Sequence, residues 1–323
     1  MTCDDTIGKF KLISVNSGSI KLSTDNLRFA SIDIGSNAVR LLLCNVYEGG
    51  PEPVFKKAEL VRMPIRLGED SFRFRRISEE KKNQLAKTMK AFKLLMDVFG
   101  AIDYRACATA AMREAENNLE VIRYVRKQSG VEIEIIDGKT EAQIIYSNHI
   151  AEHLAHDQSY LYIDVGGGST ELTLFAEGHI AASQSFNIGT IRLLHDQVSK
   201  ETWGYFKDWI REKTKAHQPL TAIGSGGNIN KIFKMADRKE NKPLLFSKIQ
   251  ETYYFLKEFT VEERITTLGL NPDRADVIVP AAKIFLTVMK TAEIDKMLVP
   301  QIGLSDGIIH LLYEKHRRMP QLF

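Results

Sequence analysis

Cysteine is scarce in this 323-residue chain, and the three present, Cys3, Cys44 and Cys107, are odd in number and far apart. They frame neither a disulfide network nor a zinc site. Long apolar runs are missing too: none approaches the ~18 residues that a membrane-spanning helix needs. The opening Met1-Thr2-Cys3-Asp4-Asp5 has neither the basic start nor the apolar stretch of a secretory signal. Together these absences predict a cytoplasmic protein with no membrane partner. Charge is nearly balanced, since 44 Lys and Arg against 41 Asp and Glu leave a formal net charge of +3, too small to imply nucleic acid as a partner. The dinucleotide fingerprint GxGxxG fails as well, because Glu171 and Ile229 stand where a reading from Gly166 or Gly224 would need its last glycine. What remains is an ordinary globular composition, 44% hydrophobic and 26% charged, at a length sufficient for two domains.

One motif is written twice. Ile32-Asp33-Ile34-Gly35-Ser36-Asn37 returns as Ile163-Asp164-Val165-Gly166-Gly167-Gly168-Ser169-Thr170. Each copy passes from an apolar strand through an Asp into a turn of small residues, and then into a second apolar strand. Glycine lets a ligand approach the backbone closely, and the free N–H and hydroxyl groups of such a turn suit an anion. An Asp there repels phosphate directly, but it can hold a divalent cation or a water beside it. A Gly-rich turn between strands is often only a hairpin. The duplication favours two half-sites closing on a phosphate chain from opposite sides.

Residues 1–28 show no sustained periodicity and read as a loose extension. Strands are predicted near 29–34, 38–47 and 53–61, followed by a helix from Ser78, a suitable N-cap, with Leu85, Met89, Phe92, Met96 and Phe99 on one face. A strand at 103–108, a helix from about 118 to Gly130, an alternating strand at 131–136 and a helix at 140–155 complete the first half. The second half restarts at Tyr160 with a strand meander near 160–165, 169–176 and 179–186. Helices follow at 190–217, then a strand at 220–223, further helices, and a last strand near 297–302. Antiparallel strands followed by crossover helices predict mixed sheets covered by helices, and the repetition predicts two α/β domains with a cleft between them. Between Lys56 and Lys82 the basic residues Lys56, Lys57, Arg62, Arg66, Arg73, Arg75, Arg76, Lys81 and Lys82 outnumber the acids Glu59, Glu69, Asp70, Glu79 and Glu80. That segment reads either as a solvated loop and helix start or as an electropositive approach for a polyanion.

An ordered set of segments, not one motif, resembles the Ppx/GppA family of exopolyphosphatases and guanosine pentaphosphate phosphohydrolases. Ala30 to Asn37 is similar to its first phosphate loop, and Ala108-Thr109-Ala110-Ala111-Met112-Arg113-Glu114-Ala115 to its ATSAxREA segment. Asp164 to Leu172 resembles its second phosphate loop, Phe186 to Leu193 its strand-to-helix turn, and Ile223 to Asn228 its third, adenosine-type loop. Ala275 to Ile278 and Gly303 to Gly307 are looser matches, and the likeness runs from about residue 29 to 316. The resemblance implies two actin-like (ribonuclease H-like) domains, expected at 29–145 and 146–323, with the C-terminal helix able to pack back on the first. The length is similar to that of short, two-domain members.

The same resemblance implies Glu141 as general base, with Arg113 as a fixed guanidinium on the phosphates. Gly35, Ser36, Asn37, Thr109, Gly166, Gly167, Gly168, Ser169 and Thr170 would cradle phosphate, and Gly224, Gly226 and Gly227 would form the nucleotide loop. Asp33, Asp164 and Glu171 would hold Mg²⁺, with another divalent cation or K⁺ as alternatives. The implied substrate is inorganic polyphosphate or guanosine pentaphosphate, and the implied assembly a homodimer. The chain departs from the family at Asp137-Gly138-Lys139-Thr140-Glu141-Ala142-Gln143, where SGEEEAR is usual and only Glu141 of the acidic run remains, and at Ser305-Asp306 in place of Arg-Glu. A kinase or ATPase of the same superfold and a non-catalytic phosphate sensor are the competing readings. His149, His153 and His156 share a helix face but lack a zincin pattern and read as solvated; Tyr253 to Leu256 reads as core, and Cys107 as a small buried hydrophobe.

Overall fold

The duplicated motif is a duplicated sheet. The computed structural model describes residues 26–50, 52–146, 158–236, 242–300 and 302–318. Most of the 1–28 extension and His149, His153 and His156 lie outside the described residues. The first half runs β1 (Leu27–Ile34), β2 (Val39–Tyr47), β3 (Val54–Met63), α1 (Leu67–Phe74), α2 (Glu79–Phe99), β4 (Asp103–Ala108), α3 (Ala110–Glu114), α4 (Asn118–Ser129), β5 (Glu134–Ile135) and α5 (Gly138–Tyr146). The second runs β6 (Ser159–Val165), β7 (Thr170–Ala176), β8 (His179–Phe186), α6 (Thr190–Leu194), α7 (Lys200–Thr214), β9 (Leu220–Ser225) and α8 (Gly227–Met235). It continues through β10 (Leu244–Leu245), α9 (Phe246–Lys257), α10 (Val261–Thr266), α11 (Pro272–Ala275), α12 (Ile278–Thr291), β11 (Lys296–Leu298) and α13 (Leu304–Arg318).

The first sheet has the order β3-β2-β1-β4-β5 and the second β8-β7-β6-β9-β11-β10. In both, three antiparallel strands are followed by parallel neighbours, β4 beside β1 and β9 beside β6. The central strands are apolar on both faces, as strands covered by helices must be: Phe29, Ala30, Ile32 and Ile34 of β1, like Leu161 and Ile163 of β6, have no exposed surface. One core lies within each half, and a third gathers Phe29, Leu42 and Cys107 with Tyr160, Tyr162 and Ile223 around Ile144 of α5 and Ile308 of α13. Thus α13, last in the chain, packs on β1, β2 and β4 of the first sheet and on α5. Gly307 is required at that crossing, because a Cβ there would overlap the Ile144 carbonyl.

Local signals place the long helix as expected. Ser78 Oγ accepts from Lys81 N at 3.3 Å, Gly100 closes α2 at φ 74°, and Leu85, Met89, Phe92 and Met96 are buried between. Three boundaries differ from expectation. Helix α1 forms where a loop was expected, because Leu67, Gly68 and Ser71 are buried against neighbouring elements and burial outweighs weak propensity over so short a stretch. Only Glu134–Ile135 of the expected 131–136 strand pairs with β4, and the last strand stops at Leu298. No helix among the described residues is long and apolar enough to cross a membrane.

Candidate active site

The two Asp-Gly turns are built alike and face each other. Gly35 N donates to Ala38 O at 3.2 Å, and Gly166 N donates to Ser169 O at 2.9 Å, the same closure in each copy. They are nearly in contact: a Cβ on Gly167 would lie 2.9 Å from Ser36 Cβ and 3.4 Å from Asn37 N. The cleft between them is lined by Asp33, Gly35, Ser36, Asn37, Thr109, Glu141, Asp164, Gly166, Gly167, Gly168, Ser169, Glu171, Gly226 and Gly227, all expected from the sequence. The second loop has a particular shape. Thr190 N donates to Gly166 O at 3.0 Å and Ile191 N to Gly167 O at 2.9 Å. Since a trans peptide holds its C=O and the following N–H on opposite sides, these contacts turn the Gly167 and Gly168 amides away from the start of α6.

Three expected residues do not line the cleft. Thr170 is fully buried and donates its hydroxyl to Ile188 O at 2.5 Å, fixing β7 to the chain before α6. Gly224 lies inside β9, where a Cβ would press on Met297 Sδ at 2.5 Å, so it packs against β11. Arg113 sits behind the carboxylates, donating from Nη1 to Ile136 O at 2.7 Å; it acts on Glu141 by charge, opposing the rise of its pKa. Asn37 lines the cleft but spends its Nδ2 on Asp273 O at 2.9 Å, a tie between the halves.

Three cations also line the cleft: Arg62, from the basic segment noted in the sequence, and Arg40 and Arg274, which the sequence did not single out. Strand register puts Asp33, Arg40 and Arg62 side by side on β1, β2 and β3, and Arg40 Nη1 donates to Asp33 Oδ2 at 2.6 Å. Arg62 pairs with Asp273. Arg274 is held below the ordinary arginine pKa by burial and by the neighbouring Arg62 and Arg40 charges, and a Cβ on Gly227 would lie 2.8 Å from its Nη2. The available clue was an Arg inside the apolar run Val39-Arg40-Leu41-Leu42-Leu43. Guanidiniums are the side chains best suited to bidentate phosphate contact.

The carboxylates gather opposite. Asp164 pairs with Glu171 across the β6–β7 ladder. Ser185 Oγ donates to Glu171 Oε1 at 2.9 Å, and burial outweighs that help, leaving the Glu171 pKa raised. Asp164 is pushed up to about 7, first by loss of water contact and then by the Glu171 and Asp33 charges. Glu141, in the first turn of α5, is raised well above its ordinary 4.5, by burial, then by Glu171, Asp164 and Asp33; its Oε2 has no hydrogen-bond partner. Among the described residues no three His, Cys, Asp or Glu side chains form an all-protein cation cage. The donors fit the other mode, in which Mg²⁺ takes one or two carboxylates and completes its shell with water and substrate phosphate. Asp164 and Glu171 suit it, being adjacent and without an ion-pair partner among the described residues, whereas Asp33 already gives Oδ2 to Arg40.

The profile of the Ppx/GppA phosphatase family matches residues 43–316. Exopolyphosphatase 1 of Mycobacterium tuberculosis is 24% identical over 304 residues, covering 88% of this chain and 87% of the relative. A bifunctional 3-dehydroquinate synthase/phosphatase of Fusobacterium nucleatum is 27% identical over 319 residues, which span 90% of this chain and 47% of that protein. Among solved structures, the Aquifex aeolicus Ppx/GppA family member superposes with a TM-score of 0.72 at 25% identity, covering 91% of this chain and 100% of that one. An exopolyphosphatase from Cytophaga hutchinsonii superposes at 0.78 and 22% identity, covering 89% and 98%, and shares the fold.

Proposed function

The chain belongs to the Ppx/GppA phosphatase family, and on that premise we propose that it is a phosphoanhydride hydrolase that releases terminal orthophosphate from inorganic polyphosphate. The observation that carries this reading is the lining of the cleft, which among the described residues holds paired Gly-rich turns, three guanidiniums, a buried acid with one oxygen unbonded, and no aromatic side chain. A guanine base would have no ring to stack on, and Arg274 stands against Gly227 at the third loop, where a base would have to enter. A polyphosphate chain asks only for cations and N–H groups, which this cleft supplies.

Phosphoryl transfer needs positioning and charge neutralisation more than covalent help. The amides of the second loop and the hydroxyl of Ser36 hold the terminal phosphoryl, while Arg40, Arg62 and Arg274 hold the charges behind it. Glu141 takes the proton of the attacking water. Burial among like charges gives it the raised proton affinity that a base working near neutral pH requires. Arg113 keeps that rise in check from behind. Asp164 and Glu171 would hold Mg²⁺, which when bound supplies further neutralisation of the transferring phosphoryl. The test is orthophosphate release from long-chain polyphosphate with Mg²⁺, run beside guanosine pentaphosphate and ATP. Faster turnover of polyphosphate supports the reading. A preference for guanosine pentaphosphate overturns the substrate assignment, and consumption of ATP with phosphorylation of an acceptor overturns the hydrolase.

A further inference from the structure

One buried cation bridges the two halves without lining the cleft. Arg192 of α6 is only 9% exposed. Its Nε donates to Gly168 O at 2.6 Å, its Nη2 pairs with both carboxylate oxygens of Glu114, and its guanidinium carbon lies 4.1 Å from the Phe72 ring centroid. Glu114 ends α3, directly after Arg113, and Phe72 belongs to α1, so two of these partners come from the first half and one from the second phosphate loop. The same surface seats the loop: a Cβ on Gly168 would collide with Phe72 and come within 2.9 Å of Ala110 Cβ. Gln197 Nε2 adds a bond to Phe72 O at 3.0 Å.

Three consecutive carbonyls are therefore drawn to one side, Gly166 by Thr190 N, Gly167 by Ile191 N, and Gly168 by the Arg192 guanidinium. The first two donors belong to the same half as the loop. The third is held in place by Glu114 and Phe72, which belong to the other half. With its carbonyl drawn to Arg192, the Gly168–Ser169 peptide turns the Ser169 N–H away from that guanidinium, as the Gly167 and Gly168 amides are turned away from α6.

We propose that Arg192 is a positioning residue that couples closure of the cleft to the shape of the second phosphate loop, with Glu114 as the latch across the halves. This rests on the phosphohydrolase reading above. Lysine cannot replace it, because one planar fork serves a carbonyl, a carboxylate and a stacked ring at once. Opening the cleft releases Glu114 and Phe72, frees the guanidinium, and lets the third amide turn away, so the loop binds phosphate fully only in the closed state.

The experiment compares Glu114→Gln, Arg192→Lys and the double variant. Glu114 is the gentle arm, since its side chain is 34% exposed and the glutamine keeps its shape. Each single change should lower kcat for orthophosphate release from polyphosphate by about 10–100-fold, the cost of a misplaced reacting group. The double variant should be little worse than either single, as expected for one shared contact. Amide hydrogen exchange of the segment 166–170 should quicken in each variant, independently of any turnover. Wild-type kcat in the variants, or loss of Tm with unchanged exchange at 166–170, overturns the latch. If the wild type releases no phosphate from polyphosphate, the phosphohydrolase reading fails, and the exchange measurement still decides the latch.

Discussion

Arg40 and Glu171 hold the same place in the two copies of the sheet: Arg40 faces Asp33 across the β1–β2 ladder as Glu171 faces Asp164 across β6–β7. One copy is thereby neutralised and the other left with two adjacent acids. The first copy thereby opens the row of arginines that continues through Arg62 on β3. Arg40→Leu should strand the buried Asp33 carboxylate and lower stability by about 1–3 kcal/mol. Adding Asp33→Asn should restore most of the loss in a denaturation series. If the double variant is no more stable than Arg40→Leu alone, the two residues are not acting as a pair.

The raised pKa of Asp164 makes the substrate-free protein sensitive to pH in a definite direction. A carboxyl that titrates near 7 when folded and near 3.8 when unfolded holds more proton in the folded state between those values. Stability therefore falls as pH rises through that window, and the penalty is complete above pH 7 and absent below about 4. Asp164→Asn should raise Tm in Mg²⁺-free buffer at pH 8, by about 1–2 °C for each kcal/mol gained at this chain size, and much less at pH 5. An equal gain at both pH values would contradict the assignment.

Activity should carry a matching signature from Glu141. Because its carboxyl is raised well above 4.5 by burial and by Glu171, Asp164 and Asp33, kcat/KM should climb with pH over a range in which an exposed Glu is already ionised. In a pH series of polyphosphate hydrolysis this rising limb should be present for the wild type. A profile that is flat down to pH 5 would remove Glu141 from the role of base.

The basic segment between residues 56 and 82 is mostly paired. Lys57 meets Asp306, Arg66 meets Glu69 and Asp276, Arg75 meets Glu116, Arg76 meets Glu120, and Lys82 meets Glu79 and Glu120. Neutralising Arg73, Arg75 and Arg76 together should leave the salt dependence of KM for polyphosphate nearly unchanged. Arg274→Gln should raise KM and flatten that dependence, because it faces the cleft. The reverse outcome in a KM-against-salt series would return the substrate approach to Arg73, Arg75 and Arg76.

Much of this arrangement was readable in the chain because it follows from patterns of short range. Ser78 and Gly100 mark the ends of α2, and the two Asp-Gly turns announce the loops. The misses needed three dimensions. Arg40 became a cleft residue only through the register of β2 on β1, and Arg274 only through the seating of α11 beside Gly227. Thr170 carries the right chemistry for phosphate, yet the alternation of β7 turns its hydroxyl to Ile188 instead. Helix α1 was hidden because its apolar content is slight and its burial depends on both halves: a Cβ on Gly68 would lie 3.0 Å from Ser36 and 3.1 Å from Ile191.

The most direct measurement pairs turnover with binding in Glu141→Gln. Orthophosphate release from long-chain polyphosphate should fall by about 10²–10⁴ in kcat, the usual worth of a positioned base, while polyphosphate still binds with wild-type affinity, because the turns and guanidiniums that hold it are untouched. A Glu141→Gln protein that turns over at the wild-type rate would contradict the central claim that this buried, unpartnered acid drives the water attack.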